Sequence, residues 1–143
     1  GSVLLRSLES PGTYIGNPLS CVAARATIQM IKDVDLNHRA IEVGEIISQR
    51  FHQIKRDVDA IGDVRGMGAM IAIEFVKNND PRQPDGELCD HIVKECAKEG
   101  LILLSAGTFK NIIRVLSPLV ISDELLRHGL DILEKAIRKA TGA

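Results

Sequence analysis

Apolar positions along this chain follow two rhythms, and the switches between them mark its elements. Leu19, Val22, Ala23, Ala26 and Met30 recur at helical spacing behind Asn17-Pro18. Asn can cap a helix by accepting from a free backbone N–H, and Pro suits the first helical position. The alanines favour a long, closely packed helix running to about Asp33. A second helix is predicted from about Asn37, with Ile41, Ile47, Phe51, Ile54 and Val58 as its stripe and Gly62 as its stop. From Val64 to Val76 alternation takes over, placing Ala69, Ile71, Ile73 and Phe75 on one face of a strand. Gly66 and Gly68 mark a bulge or a close backbone approach there; a third glycine and a following helix, which a dinucleotide-binding loop would need, are absent. Lys77 to Gly86 is a polar loop, and a third helix runs from about Gly86 to Glu99. Leu101–Leu104 is expected as a short buried strand, Gly107–Lys110 as a turn and Asn111–Ser117 as a returning strand. Ser122 caps the last helix, Asp123 and Glu124 oppose its dipole, and Leu126, Leu130, Leu133 and Ile137 form its stripe.

The order helix, helix, strand, helix, strand, strand, helix predicts an α/β chain, an α+β two-layer sandwich with its helices mainly on one sheet face. A length of 143 residues with 45% hydrophobic content suits one compact domain. Gly1-Ser2 resembles a cloning scar, and residues 1–11 are expected to be cloning-derived or a severed connector.

Charge and composition narrow the partners. A net charge of −1 supplies no basic field for nucleic acid or an anionic membrane surface, and 3% aromatic content supplies no stacking platform. No apolar run approaches the roughly 20 residues of a membrane span, and no signal-peptide pattern opens the chain, so the cytosol is the expected location. Cys21, Cys89 and Cys96 make no CxxC pair, and the four histidines fall on separate helices or turns. No metal site is expected.

Two places hold candidate chemistry. Arg114 interrupts the apolar run Asn111–Pro118 and shares a strand face with Ile112 and Leu116. A guanidinium among aliphatics needs a partner, and its fork matches a carboxylate through two parallel hydrogen bonds. The alternative is an edge-strand arginine that reaches solvent or pairs with an internal acid. Thr13, between Gly12 and Gly16 and just before a helix N-terminus, suits a phosphate or carboxylate, or else is only a turn donor. Glu74, on the face of Met70 and Ala72, reads as a solvated residue or as the structural partner of an arginine. No nucleophile, general base or metal cluster accompanies these parts.

Gly12-Thr-Tyr-Ile-Gly-Asn-Pro-Leu-Ser-Cys-Val-Ala-Ala24 resembles the segment leading into the interdomain helix of class III, fold type I aminotransferases. Ile61–Glu74, Gly100–Gly107 and Asn111–Leu119 resemble strands of the small C-terminal domain of those enzymes, and the collinear resemblance covers about residues 12–143. It implies a long interdomain helix (12–36) and then a small C-terminal domain (37–143) with a three- to four-stranded sheet covered by helices. It also implies a pyridoxal 5'-phosphate-dependent homodimer that moves an amino group from an ω-amino acid, such as 4-aminobutyrate, to 2-oxoglutarate. Thr13, with Gly12, would bind the phosphate of the neighbouring subunit's cofactor, and Arg114 the substrate carboxylate. The N-terminal cofactor domain with its Schiff-base lysine would lie upstream, leaving this stretch with no catalytic residue, no bound cofactor and no activity by itself. A stand-alone α/β module that holds a carboxylate effector on Arg114 is the competing expectation.

Overall fold

The computed structural model describes residues 16–143. The chain forms two compact units, one ending at Leu36 and the other running from Asn37 to Ala143. In the first, helix α1 spans Pro18–Asp33. Asn17 caps it, its side-chain oxygen accepting from the Leu19 and Ser20 amides at 2.9 and 3.3 Å. The expected stripe forms, but no residue of α1 is buried. Alanine propensity makes the helix without supplying a surface for it to pack on.

In the second unit, α2 (Leu36–Asp57) buries Val43, Gly44, Ile47, Phe51 and Ile54, with Val58 just beyond. Ile41, expected in that stripe, is half exposed instead, and Val43 takes the inward place. Gly62 does not stop this helix: it lies within strand β1 (Ile61–Met67). The single strand expected over Val64–Val76 is a hairpin, β1 turning into β2 (Met70–Phe75). Gly68, at φ +51°, supplies the positive dihedral a two-residue turn requires. The inward phase shifts by one residue at the turn, from Val64 on β1 to Ile71 on β2, but Gly66 and Gly68 carry no side chains to show the shift.

The polar loop follows β2. Helix α3 (Gly86–Lys98) is capped by Asp85 and buries Cys89, Ile92 and Cys96. Leu101–Leu104 is not a buried strand. Pairing begins only at β3 (Ser105–Ala106), and Ile102 and Leu104 are 86% and 78% exposed. Leu101 and Leu103 pack on the core while the alternate side chains face outward. An apolar run of four suggested burial on both sides, whereas this edge segment is covered on one. β4 (Ile112–Leu116) then enters the sheet, and α4 (Asp123–Thr141) closes the unit with Ser122 as cap and Leu126, Leu130, Leu133 and Ile137 buried.

The sheet is antiparallel with order β1-β2-β4-β3. Ile71, Ile73 and Phe75 of β2 and Ile113 of β4 meet α2, α3 and α4 in one core, a two-layer sandwich. Across the other face run Asp63, Arg65 and Met67, then Met70, Ala72 and Glu74, then Ile112, Arg114 and Leu116.

Ion pairs tie the helical layer together. Glu95 of α3 accepts from Lys139 of α4 at 2.6 Å and from Lys98. The Lys139 ammonium, then that of Lys98, lowers the Glu95 carboxyl to about 2. A carboxyl depressed in the folded state stabilises above its unfolded range, and that stabilisation is lost as pH falls through the folded value. Thermal melts are therefore expected to show wild type above Glu95→Gln at neutral pH, with the gap closing between roughly pH 5 and pH 2. A gap constant across that window would mean that the pairs add nothing to stability.

Candidate carboxylate-binding site

The site grows out of β4. Strand alternation turns Ile113 into the core and leaves Arg114 exposed on the open face. Directly opposite, β2 presents Ala72, too short to cover the guanidinium. Among the described residues no side chain or carbonyl forms a hydrogen bond or ion pair with the Arg114 side chain, so the internal-acid alternative finds no support there.

Arg39, Arg50, Arg65, Arg82 and Arg138 are engaged by acidic groups, whereas Arg25, Arg56 and Arg127 are exposed like Arg114. Arg65, across Ala72 from Arg114, donates to Asp63 at 2.7 Å and to Glu74 at 2.6 Å. Those two hydrogen bonds, Asp63 first, raise the Arg65 pKa, and the Asp63 carboxyl is lowered in return by Arg65. Glu74 is thus the arginine partner its position suggested. Its other oxygen accepts from Asn111 Nδ2 at 3.2 Å, and the same amide donates to the Phe75 carbonyl at 2.9 Å. Asn111 is 2% exposed, and this role had no sequence signal beyond a polar residue at a strand start.

Arg114 looks onto a cleft of about 540 Å³ whose walls include Ile102, Leu104, Leu116, Pro118 and Ile121. That volume lies in the range of small-molecule sites, about 300–1,000 Å³. Among the described residues Arg114 is the only charged side chain lining it. Arg39 of α2 braces one rim, donating to the Leu119 and Ile121 carbonyls at 3.3 and 2.9 Å and to Asp123 at 2.6 Å. A lone cation on apolar walls is suited to hold one carboxylate and to exclude water from the rest of its carrier.

A second hollow, of about 330 Å³, separates α4 from the Glu99–Leu103 stretch. Neither arginine nor lysine lines it, so it offers nothing for a carboxylate to pair with. No lysine among the described residues lines either hollow.

Cys89 and Cys96 are fully buried, and desolvation pushes both thiols up to about 11. Cys21 is exposed. Because the thiolate is the reactive form, a disulfide reagent is expected to titrate Cys21 promptly and the other two only after denaturant is added. Three equally fast thiols would contradict the packing of α3. No group of three His, Cys, Asp or Glu side chains able to hold a metal ion is present among the described residues. None of their helices is long and apolar enough to cross a membrane.

Gly12 and Thr13 lie outside the described residues. Nearby, the two α1 amides that an anion would meet are already taken by Asn17. The helix end itself therefore has less to offer a phosphate than a bare N-terminus would.

The family described as aminotransferase class-III matches residues 3–137. A Bacillus subtilis protein described as a probable 4-aminobutyrate aminotransferase is 48% identical over 130 residues, covering 91% of this chain and 30% of that protein. The 5-aminovalerate aminotransferase of Pseudomonas aeruginosa is 43% identical over 122 residues, 85% of this chain and 29% of that protein. A crystal structure of a Bacillus anthracis aminotransferase superposes with a TM-score of 0.79 at 26% identity, over 87% of this chain and 29% of its own. The chain thus spans less than a third of the length of each.

Proposed function

The chain belongs to the class-III aminotransferase family, and we propose that it is the part of such an enzyme that grips the substrate carboxylate. Residues 37–143 form the small C-terminal domain in this reading, and residues 12–36 the helix that joins it to the cofactor domain. The enzyme transfers an amino group from an ω-amino acid, 4-aminobutyrate or a close analogue, to 2-oxoglutarate. Pyridoxal phosphate, when bound, supplies the electron sink that this exchange needs.

The observation that carries the reading is Arg114, unpartnered among the described residues in an apolar cleft. Its fork holds the carboxylate of donor and acceptor in turn, and a rigid strand fixes where the other end of each substrate points. Thr13, with Gly12, donates to the cofactor phosphate of the neighbouring subunit, so that contact exists only in a homodimer. The Schiff-base lysine belongs to the remainder of the enzyme. The choice of an ω-amino acid is supported by two relatives whose names specify 4-aminobutyrate and 5-aminovalerate.

The test is to assay the full-length subunit with 2-oxoglutarate against 4-aminobutyrate, 5-aminovalerate, ornithine and β-alanine, beside residues 1–143 alone. Turnover by the whole enzyme with an ω-amino acid and none by the fragment is expected. A full-length enzyme that accepts only α-amino acids would overturn the donor assignment, and turnover by the fragment would overturn the division of labour.

A further inference from the structure

Three strands put Arg65, Ala72 and Arg114 in one row across the open face, and Asp63, Glu74 and Ile112 in the next. Diagonal neighbours on adjacent antiparallel strands lie about 7–8 Å apart, within reach of long side chains. Glu74 is therefore a diagonal neighbour of Arg65 on one side and of Arg114 on the other. The first diagonal is closed by the 2.6 Å ion pair; across the second, no bond between Glu74 and Arg114 forms. Both Glu74 oxygens are committed, one to Arg65 and one to Asn111.

We propose that Arg65 is a positioning residue that sequesters Glu74, so that Arg114 stays open for a substrate carboxylate. Without Arg65, two carboxylates, Asp63 and Glu74, would share this face with a single cation among the described strand residues, Arg114. Glu74 would then compete with the substrate as an intramolecular carboxylate one diagonal away, and that contact would have to break before substrate could bind. Ala72 contributes by its size, since a long side chain between the two arginines would cover Arg114 directly. The proposal rests on the carboxylate role assigned to Arg114 above.

Glutarate, an unreactive dicarboxylate with the carbon skeleton of 2-oxoglutarate, is the probe. Its Kd would be measured by calorimetry on the cofactor-loaded full-length enzyme, with KM and kcat for 2-oxoglutarate alongside. Arg65→Met is expected to weaken glutarate and raise KM by about fivefold, the range of a partly exposed ion pair, while kcat holds. The double variant Arg65→Met/Glu74→Gln is expected to recover most of that loss, because the competing charge is gone although one more sheet contact has been removed. Arg65→Lys, which keeps a cation for Glu74, also recovers most of it and gives a folded variant should the methionine disturb the sheet. A double variant as weak as Arg65→Met, or weaker, would make Arg65 a support of the sheet and overturn the proposal. So would an unchanged Arg65→Met. Arg114→Ala separates the two levels. If it leaves glutarate binding intact, the carboxylate reading of Arg114 fails and this proposal with it. If it abolishes binding while Arg65→Met does not weaken it, only this proposal falls.

Discussion

Replacing Arg114 by alanine in the full-length enzyme is expected to lower kcat/KM for both the ω-amino acid and 2-oxoglutarate by roughly 30-fold to a few thousand-fold. This corresponds to a loss of about 2–5 kcal/mol, the range for removing one partner of a hydrogen-bonded charge pair that bound substrate buries, since Arg114 itself is exposed in this chain. Both half-reactions should suffer if, as proposed, donor and acceptor place a carboxylate on the same guanidinium. If the carboxylate held is the one remote from the reacting carbon, the only one a 4-aminobutyrate donor has, it is held alike before and during reaction and the loss should fall mainly on KM. Lysine should recover only part, since an ammonium cannot reproduce two parallel donors. Thermal stability should barely move: Arg114 is exposed and holds no other residue of the described fold. That combination identifies a binding residue. If KM keeps its wild-type value for both substrates while the melting temperature drops, Arg114 is a structural residue and the proposed site is wrong.

What the sequence could show depended on whether a signal was local. The α4 stripe Leu126, Leu130, Leu133 and Ile137 and the Ser122 cap were legible because helical spacing and cap chemistry act over a few residues, and all are found as expected. The face of Arg114 was legible for the same reason, since alternation alone separates it from Ile113. The β1–β2 hairpin was not. Gly68-Ala69 interrupts pairing and moves the inward positions from even-numbered Val64 to odd-numbered Ile71, but Gly66 and Gly68 between them carry no side chains to mark the change of phase. Leu101–Leu104 failed differently: four apolar residues in a row say nothing about whether one side or both are covered. Glu74 was left between a solvated residue and an arginine's partner, because which arginine it meets depends on strand register, and register is not a local property.

Long-range packing also decides what happens at Gly44, where helix α2 meets the Gly68 turn more closely than any other described glycine meets its neighbours. This residue sits in the middle of α2, where glycine costs a helix up to about 1 kcal/mol relative to alanine. Local propensity therefore predicts that Gly44→Ala stabilises. The structure predicts the reverse. A Cβ on Gly44 would stand 1.9 Å from the Gly68 carbonyl oxygen and 2.6 Å from its carbon. Those are backbone atoms of a two-residue turn, so they cannot swing aside as a flexible side-chain end could. Relief would require α2 to lift from the hairpin, loosening Val43 and Ile47 in the core, or the turn to shift together with Arg65 and Ala72. Overpacking of this kind costs about 1–3 kcal/mol and occasionally more. Urea unfolding of the 37–143 unit should place Gly44→Ala below wild type by about 2–4 kcal/mol, the upper end applying because the clash is with main chain. Glutarate affinity of the folded full-length variant should fall as well if the turn, rather than the helix, gives way. An alanine variant as stable as wild type would mean that α2 and the Gly68 turn do not meet as closely as this, and that helix propensity alone governs the position.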